Sequence, residues 1–342
     1  MSGLDTARIA TSPDERRTRR PRIGSDAWTV IGLFAVTIVM ILASRLVSPS
    51  FGSWDQARAI LVLTSFVMVI AFGQQSVILL GGLDLSVGSM MTLGGILTFS
   101  WIGGSGSALI WGIPAVLLVT GLVGAVNGLG VTFFRVPPFI MTLAMGIIIY
   151  SVALGITGGT PSGQAVPALG WLFSHRLFGI PWVILLMALF AVLGTIFQQA
   201  TPFGRRLYAI GTSPEAAAIA GMPVRRIVIL TYAISGAAAG LAGILMVGYS
   251  GGATLTMGDS YLLPSIAAVV IGGTSIVGGR GLYAGAIAGA FLLTTLSTVI
   301  SSIGIAQGWR TIIYGLVILV ALVLLREELS LWFLRLRSRG GR

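Results

Sequence analysis

The chain has no cysteine, no lysine and a single histidine, His175, and only 9% of its 342 residues are charged. Each shortage excludes a class of chemistry. Without cysteine there are no disulfides or thiolate metal sites, and one histidine cannot build the common His-rich metal centres. Without lysine there is no Walker A loop, whose lysine reaches the nucleotide phosphates, so the chain is not expected to hydrolyse ATP itself. A soluble domain carries roughly 25% charged residues. This chain has too few ionic side chains to cover an aqueous surface.

What is abundant points the same way. Hydrophobic residues make up 55% of the chain, and there are 48 glycines. Between Arg58 and Arg135 the one charge is Asp84, a composition that belongs in hydrocarbon. The glycine excess fits close-packed, locally broken transmembrane helices, because lipid supplies no hydrophobic drive for helix association. The expected fold is therefore an all-α integral membrane protein.

Apolar runs fall at about 28–48, 58–80, 86–103, 107–132, 137–157, 180–198, 226–249, 262–278, 283–302 and 309–326, which predicts about ten transmembrane helices with both termini on one side. With the N-terminus inside, seventeen arginines fall inside and four outside (Arg45, Arg58, Arg176 and Arg310), as the positive-inside rule requires. The same distribution explains the formal charge of +11 without a nucleic-acid partner. The expected organisation is a cytoplasmic Arg-rich tail over 1–27, a transmembrane domain over 28–326 and a cytoplasmic tail over 327–342. The first tail precedes no A-x-A-like cleavage site and reads as retained. In the second, Leu, Trp and Phe stand among Arg residues over 329–339, which fits a helix end lying on anionic membrane lipid.

The segments 77–95 and 268–286 share Gly81/Gly272, Gly82/Gly273, Gly88/Gly279 and Gly94/Gly285 at a constant offset, the trace an inverted repeat with discontinuous helices would leave. Gly124 and Gly128, Gly236 and Gly240, and Gly281, Gly285 and Gly289 recur at helical spacing and predict close helix packing. The stretch 158–179 reads as the one sizeable external loop, with His175 solvated.

Two places carry candidate function. Within the polar segment 199–226, Ser213-Pro214-Glu215 is a helix start with a hydroxyl cap, proline at the first position and a carboxylate at the positive dipole end. Gly221 followed by Met222-Pro223 stops that helix after about two turns. So short a helix is marginal alone and needs a partner surface. The second place is Asp84, an intramembrane carboxylate and so a functional candidate. It can bond a solute hydroxyl, carry a proton, or cap a half-helix beginning at Leu85; the cap offsets part of its burial and is the favoured reading. Ser86, Asn127, Thr142, Thr274 and Ser275 are further polar candidates along a translocation path. Arg135 and Arg280 read as snorkelling anchors.

The runs EAAAIAGMPVRRIVILTYAISGAAAGLAGIL (215–245), GGLDLSVGS (81–89), VNGLGVTFFRVPPFIMTLAMG (126–146) and SIAAVVIGGTSIVGGRG (265–281) resemble the permease subunits of ribose-type ABC sugar importers. The resemblance covers roughly 60–330 in the right order. It implies a bacterial inner-membrane permease for a monosaccharide or similar polyol, with no cofactor of its own and ATP bound by a partner. Ser213, Pro214, Glu215, Ala216, Ala217, Ala220 and Gly221 would form the coupling helix seated in a cytoplasmic ATP-binding cassette. A periplasmic or lipoprotein substrate-binding protein would dock outside, and a second permease subunit, identical or homologous, would complete the path. Members often carry acidic residues where this chain has Leu262 and Pro264, so the resemblance leaves the solute open. The rival is an ion-coupled secondary transporter using Asp84; a membrane enzyme lacks any cluster of His, Cys or carboxylates.

Overall fold

The computed structural model describes residues 23–46, 52–103 and 106–324. The C-terminal tail with its 329–339 segment, and the N-terminal tail up to residue 22, lie outside the described residues. The described chain is almost wholly helical: α1 (Ile23–Ser44), α2 (Trp54–Leu79), α3 (Val87–Trp101), α4 (Ala108–Thr132), α5 (Pro138–Thr157), α6 (Pro167–Ser174), α7 (Trp182–Ala200), α8 (Pro202–Thr212), α9 (Pro214–Ile219), α10 (Val224–Ser250), α11 (Asp259–Ile271), α12 (Tyr283–Ser302) and α13 (Gln307–Leu324). Each of the ten apolar runs carries one of these helices. Seven (α1, α2, α4, α5, α7, α10 and α12) are long and apolar enough to cross a membrane by length and composition. The remaining three runs hold α3, α11 and α13, of 15, 13 and 18 residues.

The core forms around α2 and α10. In α2 every residue from Thr64 to Leu79 is buried, as an all-round apolar helix must be when other helices surround it. Glycine sets the distances. A Cβ on Gly94 of α3 would lie 2.7 Å from the Gly240 Cα of α10. Gly124 and Gly128 of α4 face the backbone of Tyr232 and Ile229 in α10, and Gly285 and Gly289 of α12 face Gly272 and Ala268. These contacts are those expected of small residues in lipid. Gly281 departs from its row: it precedes α12 and has φ +147°.

The two broken segments differ from expectation in register and in sense. After α2, the Gly81 N–H bonds the Ile78 carbonyl and the Gly82 N–H the Val77 carbonyl; after α11, Gly273 bonds Val270 and Thr274 bonds Val269. Both are Schellman ends with a left-handed glycine, Gly81 (φ +77°) and Gly273 (φ +88°). Gly81 therefore corresponds to Gly273 and not to Gly272, and Gly88 lies inside α3 while Gly279 lies in the second loop. The helices α2 and α11 also run in the same sense: the Gly279 N–H bonds the Leu79 carbonyl at 2.9 Å, while Tyr261, at the start of α11, meets Phe66 farther back in α2 with ring centroids 6.1 Å apart. An inverted relation does not hold for these two segments. Seven loop residues after α2 against eleven after α11 break the simple sequence register.

Two loops are more structured than composition implies. The 158–179 stretch contains α6, whose Leu169 is buried beside Gly248 of α10, and leads into a hairpin pairing Arg176–Leu177 with Ile180–Pro181. His175 is exposed but stacks on Trp171 at 4.7 Å. The polar segment 199–226 holds α8 as well as α9. Thr201 accepts the Gly204 N–H at 3.1 Å, with Pro202 next in the chain, the same cap-then-proline start as Ser213-Pro214.

Candidate functional site

The turn between α2 and α3 is tied down by side chains from three other helices. Asp84 is fully buried. Its Oδ1 accepts the Ser86 N–H at 3.0 Å and the Ser86 hydroxyl at 2.5 Å. Its Oδ2 accepts the Ser235 hydroxyl of α10 at 2.8 Å. Asn127 of α4 donates Nδ2 to the Ser86 Oγ at 2.9 Å, and the Thr142 hydroxyl of α5 accepts the Leu85 N–H at 3.0 Å. Asp84 therefore closes a turn, with Ser86 as the residue before α3. It does not cap a helix starting at Leu85, because Leu85 and Ser86 are still in the turn. Three donors on one carboxylate offset the penalty of burying it.

Four of the six candidate path residues, Asp84, Ser86, Asn127 and Thr142, thus meet at this turn, and none of them is exposed on the single chain. Thr274 and Ser275 sit apart, in the loop after α11. Thr274 is buried with its hydroxyl unpaired among the described residues, and the Ser275 N–H bonds the Arg280 carbonyl at 2.9 Å. Sequence reasoning missed Ser235, 151 residues from Asp84, and nothing local in the glycine-rich α10 marks it. It also missed Tyr232, whose hydroxyl lies 2.7 Å from where a Cβ on Gly82 would be.

The second site is α9. The Ser213 hydroxyl accepts the Ala216 N–H at 3.2 Å, capping the helix, and lies 3.4 Å from the Glu215 carboxylate. At the other end Gly221 has φ +77°. Its N–H bonds the Ala218 carbonyl and the Met222 N–H bonds the Ala217 carbonyl, both at 3.0 Å, a third Schellman end. Ala217 faces inward onto Leu207 and Ile210 of α8 and Ile227 of α10, with Met222 against them. Pro214, Glu215, Ala216, Ala218, Ala220 and Gly221 face out, and Ile219 is 90% exposed.

The two sites are joined through α8. Tyr208 donates its hydroxyl to the Gly281 carbonyl at 2.8 Å. A Cβ on Gly211 would collide with the Leu79 carbonyl and the Gly279 amide. One helix therefore touches both broken loops on one side and carries α9 on the other.

The family described as branched-chain amino acid transport system / permease component matches residues 56–322. The chain is 34% identical over 295 residues to the ribose import permease protein of Escherichia coli K12, covering 85% of this chain and 91% of that one. It is 33% identical over 328 residues to the Bacillus subtilis 168 protein of the same name, covering 92% and 98%. It is 30% identical over 355 residues to the xylose transport system permease protein of Escherichia coli K12, covering 84% and 88%. No solved structure matches. With a family match over most of its length and relatives above 30% identity along nearly the whole chain, this multi-pass membrane protein belongs to the permease family of ribose-type ABC importers.

Proposed function

We propose that the chain is the membrane-spanning subunit of an ABC importer that moves a monosaccharide or similar polyol into the cytoplasm, using ATP hydrolysed by a separate cassette subunit. The observation that carries this reading is the α8/α9 unit. A capped two-turn helix with an apolar side chain in solvent is surface prepared for a partner, and its support, α8, rests on both broken loops. A push on α9 would be delivered to two interrupted helices at once, the kind of rigid-body step that alternating access needs.

The rest of the assembly follows from the same reading. The chain makes ten crossings with both termini cytoplasmic. It pairs with a second permease subunit and is fed outside by a substrate-binding protein. The ion-coupled alternative is weakened at Asp84, where three protein donors already occupy a carboxylate sealed from solvent; an ion site must exchange its ligand.

Co-purification with candidate cassette subunits tests the partner, with residues 213–221 replaced by a flexible linker of equal length as the comparison. The native chain is expected to retain the cassette and support binding-protein-stimulated ATPase in proteoliposomes; equal retention by the linker variant would refute the role of α9. Orientation is tested separately, because the chain has no native cysteine. In right-side-out vesicles an impermeant maleimide should label Ser162→Cys and spare Ala218→Cys.

A further inference from the structure

A pocket of about 270 Å³ lies between α2, α11, α12 and α13, at the end of the bundle away from α8 and α9. Its wall on α12 is a row of hydroxyls, Thr294, Ser297, Thr298 and Ser301, spaced i, i+3, i+4 and i+7 and so on one helix face. Opposite them stands Arg310 of α13. Its Nε is buried without a hydrogen-bond partner among the described residues, as is the Thr294 hydroxyl. No acidic side chain lines the pocket, and Arg310 makes no ion pair among the described residues.

A half-buried guanidinium with no counter-charge is costly unless something supplies oxygen acceptors. Its planar fork matches a carboxylate in two-point fashion. Thr298 already donates its hydroxyl to the Thr294 carbonyl at 2.7 Å and Ser297 bonds Tyr314; the hydrogens and lone pairs left over in the row can donate to and accept from hydroxyls of a ligand. The volume is just under the ~300–1,000 Å³ typical of drug-sized ligands, which suits a monosaccharide-sized solute. The remaining lining includes Leu63, Val67, Tyr261, Pro264, Leu293 and Tyr314, apolar and aromatic surface that can take the C–H face of a sugar ring, while the hydroxyl row supplies more hydrogen-bonding groups than an acyl chain would use.

We propose that this pocket is a solute site for an acidic monosaccharide, its carboxylate paired with Arg310 and its hydroxyls with Thr294, Ser297 and Ser301. This rests on the reading of the chain as a solute permease and narrows the class of solute.

The test uses the purified full-length chain in detergent, with galacturonate as probe and galactose as the neutral control. Ligand-dependent thermal stabilisation or saturation-transfer NMR gives the affinity. Galacturonate is expected to bind at least about tenfold more tightly than galactose, and Arg310→Gln to lose about tenfold or more, as for hydrogen bonds to charged groups. Thr294→Val should lose less, and keeps the test open if Arg310→Gln does not fold. Equal affinity for the two sugars, no binding of either, or galacturonate binding unchanged in both variants would overturn the proposal. So would native mass spectrometry showing a phospholipid bound to the wild type and lost in Arg310→Gln. Cassette-stimulated ATPase measured on the same preparations separates the two readings: if it persists while galacturonate binding fails, the solute class is wrong and the permease assignment stands.

Discussion

The Asp84 turn and the α9 helix are both short, seven and six residues, yet they are built by opposite means. The turn is held by long-range partners: Ser235 from α10, Asn127 from α4 and Thr142 from α5. Helix α9 is held by its own neighbours in sequence, a Ser213 cap at one end and a Gly221 reversal at the other, with one buried alanine as footing. The first is a fixed point in the interior, where each unmet polar group is expensive. The second is a local unit whose outer face is free to meet another molecule. On the proposed reading the contrast teaches where force can enter: α9 can be engaged without disturbing the packing, while the turn, bonded directly to α10, α4 and α5, would move only together with the helices that hold it.

The largest effect should come from the crossing that supports the interior turn. Gly94→Val places a branched side chain where even a Cβ would stand 2.7 Å from the Gly240 Cα and carbonyl oxygen. Backbone cannot swing aside as a side chain can, so a destabilisation of about 3 kcal/mol or more is expected, at the upper end for overpacking. Fluorescence-detected size exclusion of the detergent-solubilised chain should show loss of the folded peak.

Next in size is the turn itself. Asp84→Ala removes the acceptor for three buried donors, but it also removes the cost of burying the carboxylate itself, so the net loss is expected to stay below that of Gly94→Val while still lowering the melting temperature in detergent clearly. Asp84→Asn keeps one oxygen for Ser86 and should recover much of the loss. If the two variants melt alike, the Ser86 bonds do not hold the turn. Uptake driven by a proton gradient without ATP, and abolished in Asp84→Asn, would instead restore the ion-coupled alternative.

Why α9 was legible and the turn only partly so follows from this difference. Ser213, Pro214 and Gly221 act within a few residues of themselves, so composition and order are enough to read them. The same rule applied to Thr201-Pro202 would have found α8. Asp84 announced itself as a lone charge, but its partner Ser235 lies 151 residues away on a helix whose glycines hid it. The apolar runs revealed the helices because hydrocarbon length is a strong constraint. The relation between the two broken segments was misread because glycine identity was matched in place of glycine conformation: Gly81 and Gly273 share a positive φ, whereas Gly81 and Gly272 do not.

A smaller effect on the fold, with a larger one on partnership, is expected at Gly221. A Cβ there meets nothing within 4 Å, so the cost of Gly221→Val is conformational alone. Holding a β-branched residue at φ +77° costs about 1–3 kcal/mol, enough to fray a helix of six residues but not the bundle. Melting of the whole chain should be nearly unchanged while stimulated ATPase falls. Glu215→Lys, which reverses a favourable charge at the helix start, should act in the same direction by only about 0.3–1 kcal/mol.

The smallest effect on the fold should be at Ile219, and it sharpens the comparison most. Its side chain is 90% exposed, so Ile219→Ser removes almost no buried surface, and a stability change within about ±0.5 kcal/mol is expected. The caps at Ser213 and Gly221 are left intact, so α9 keeps its shape. If the outer face of α9 is a docking surface, the loss must appear entirely in binding: weaker retention of the cassette and less ATPase stimulation, with insertion, melting temperature and the Asp84 turn unaltered. Truncating a central apolar anchor typically costs more than about 1 kcal/mol of binding, a fivefold or greater loss that a titration of cassette onto proteoliposomes can resolve. Unchanged retention in Ile219→Ser, beside reduced retention in Gly221→Val, would move the contact off the outer face of α9 and leave α9 needed only to hold α8 against the two loops.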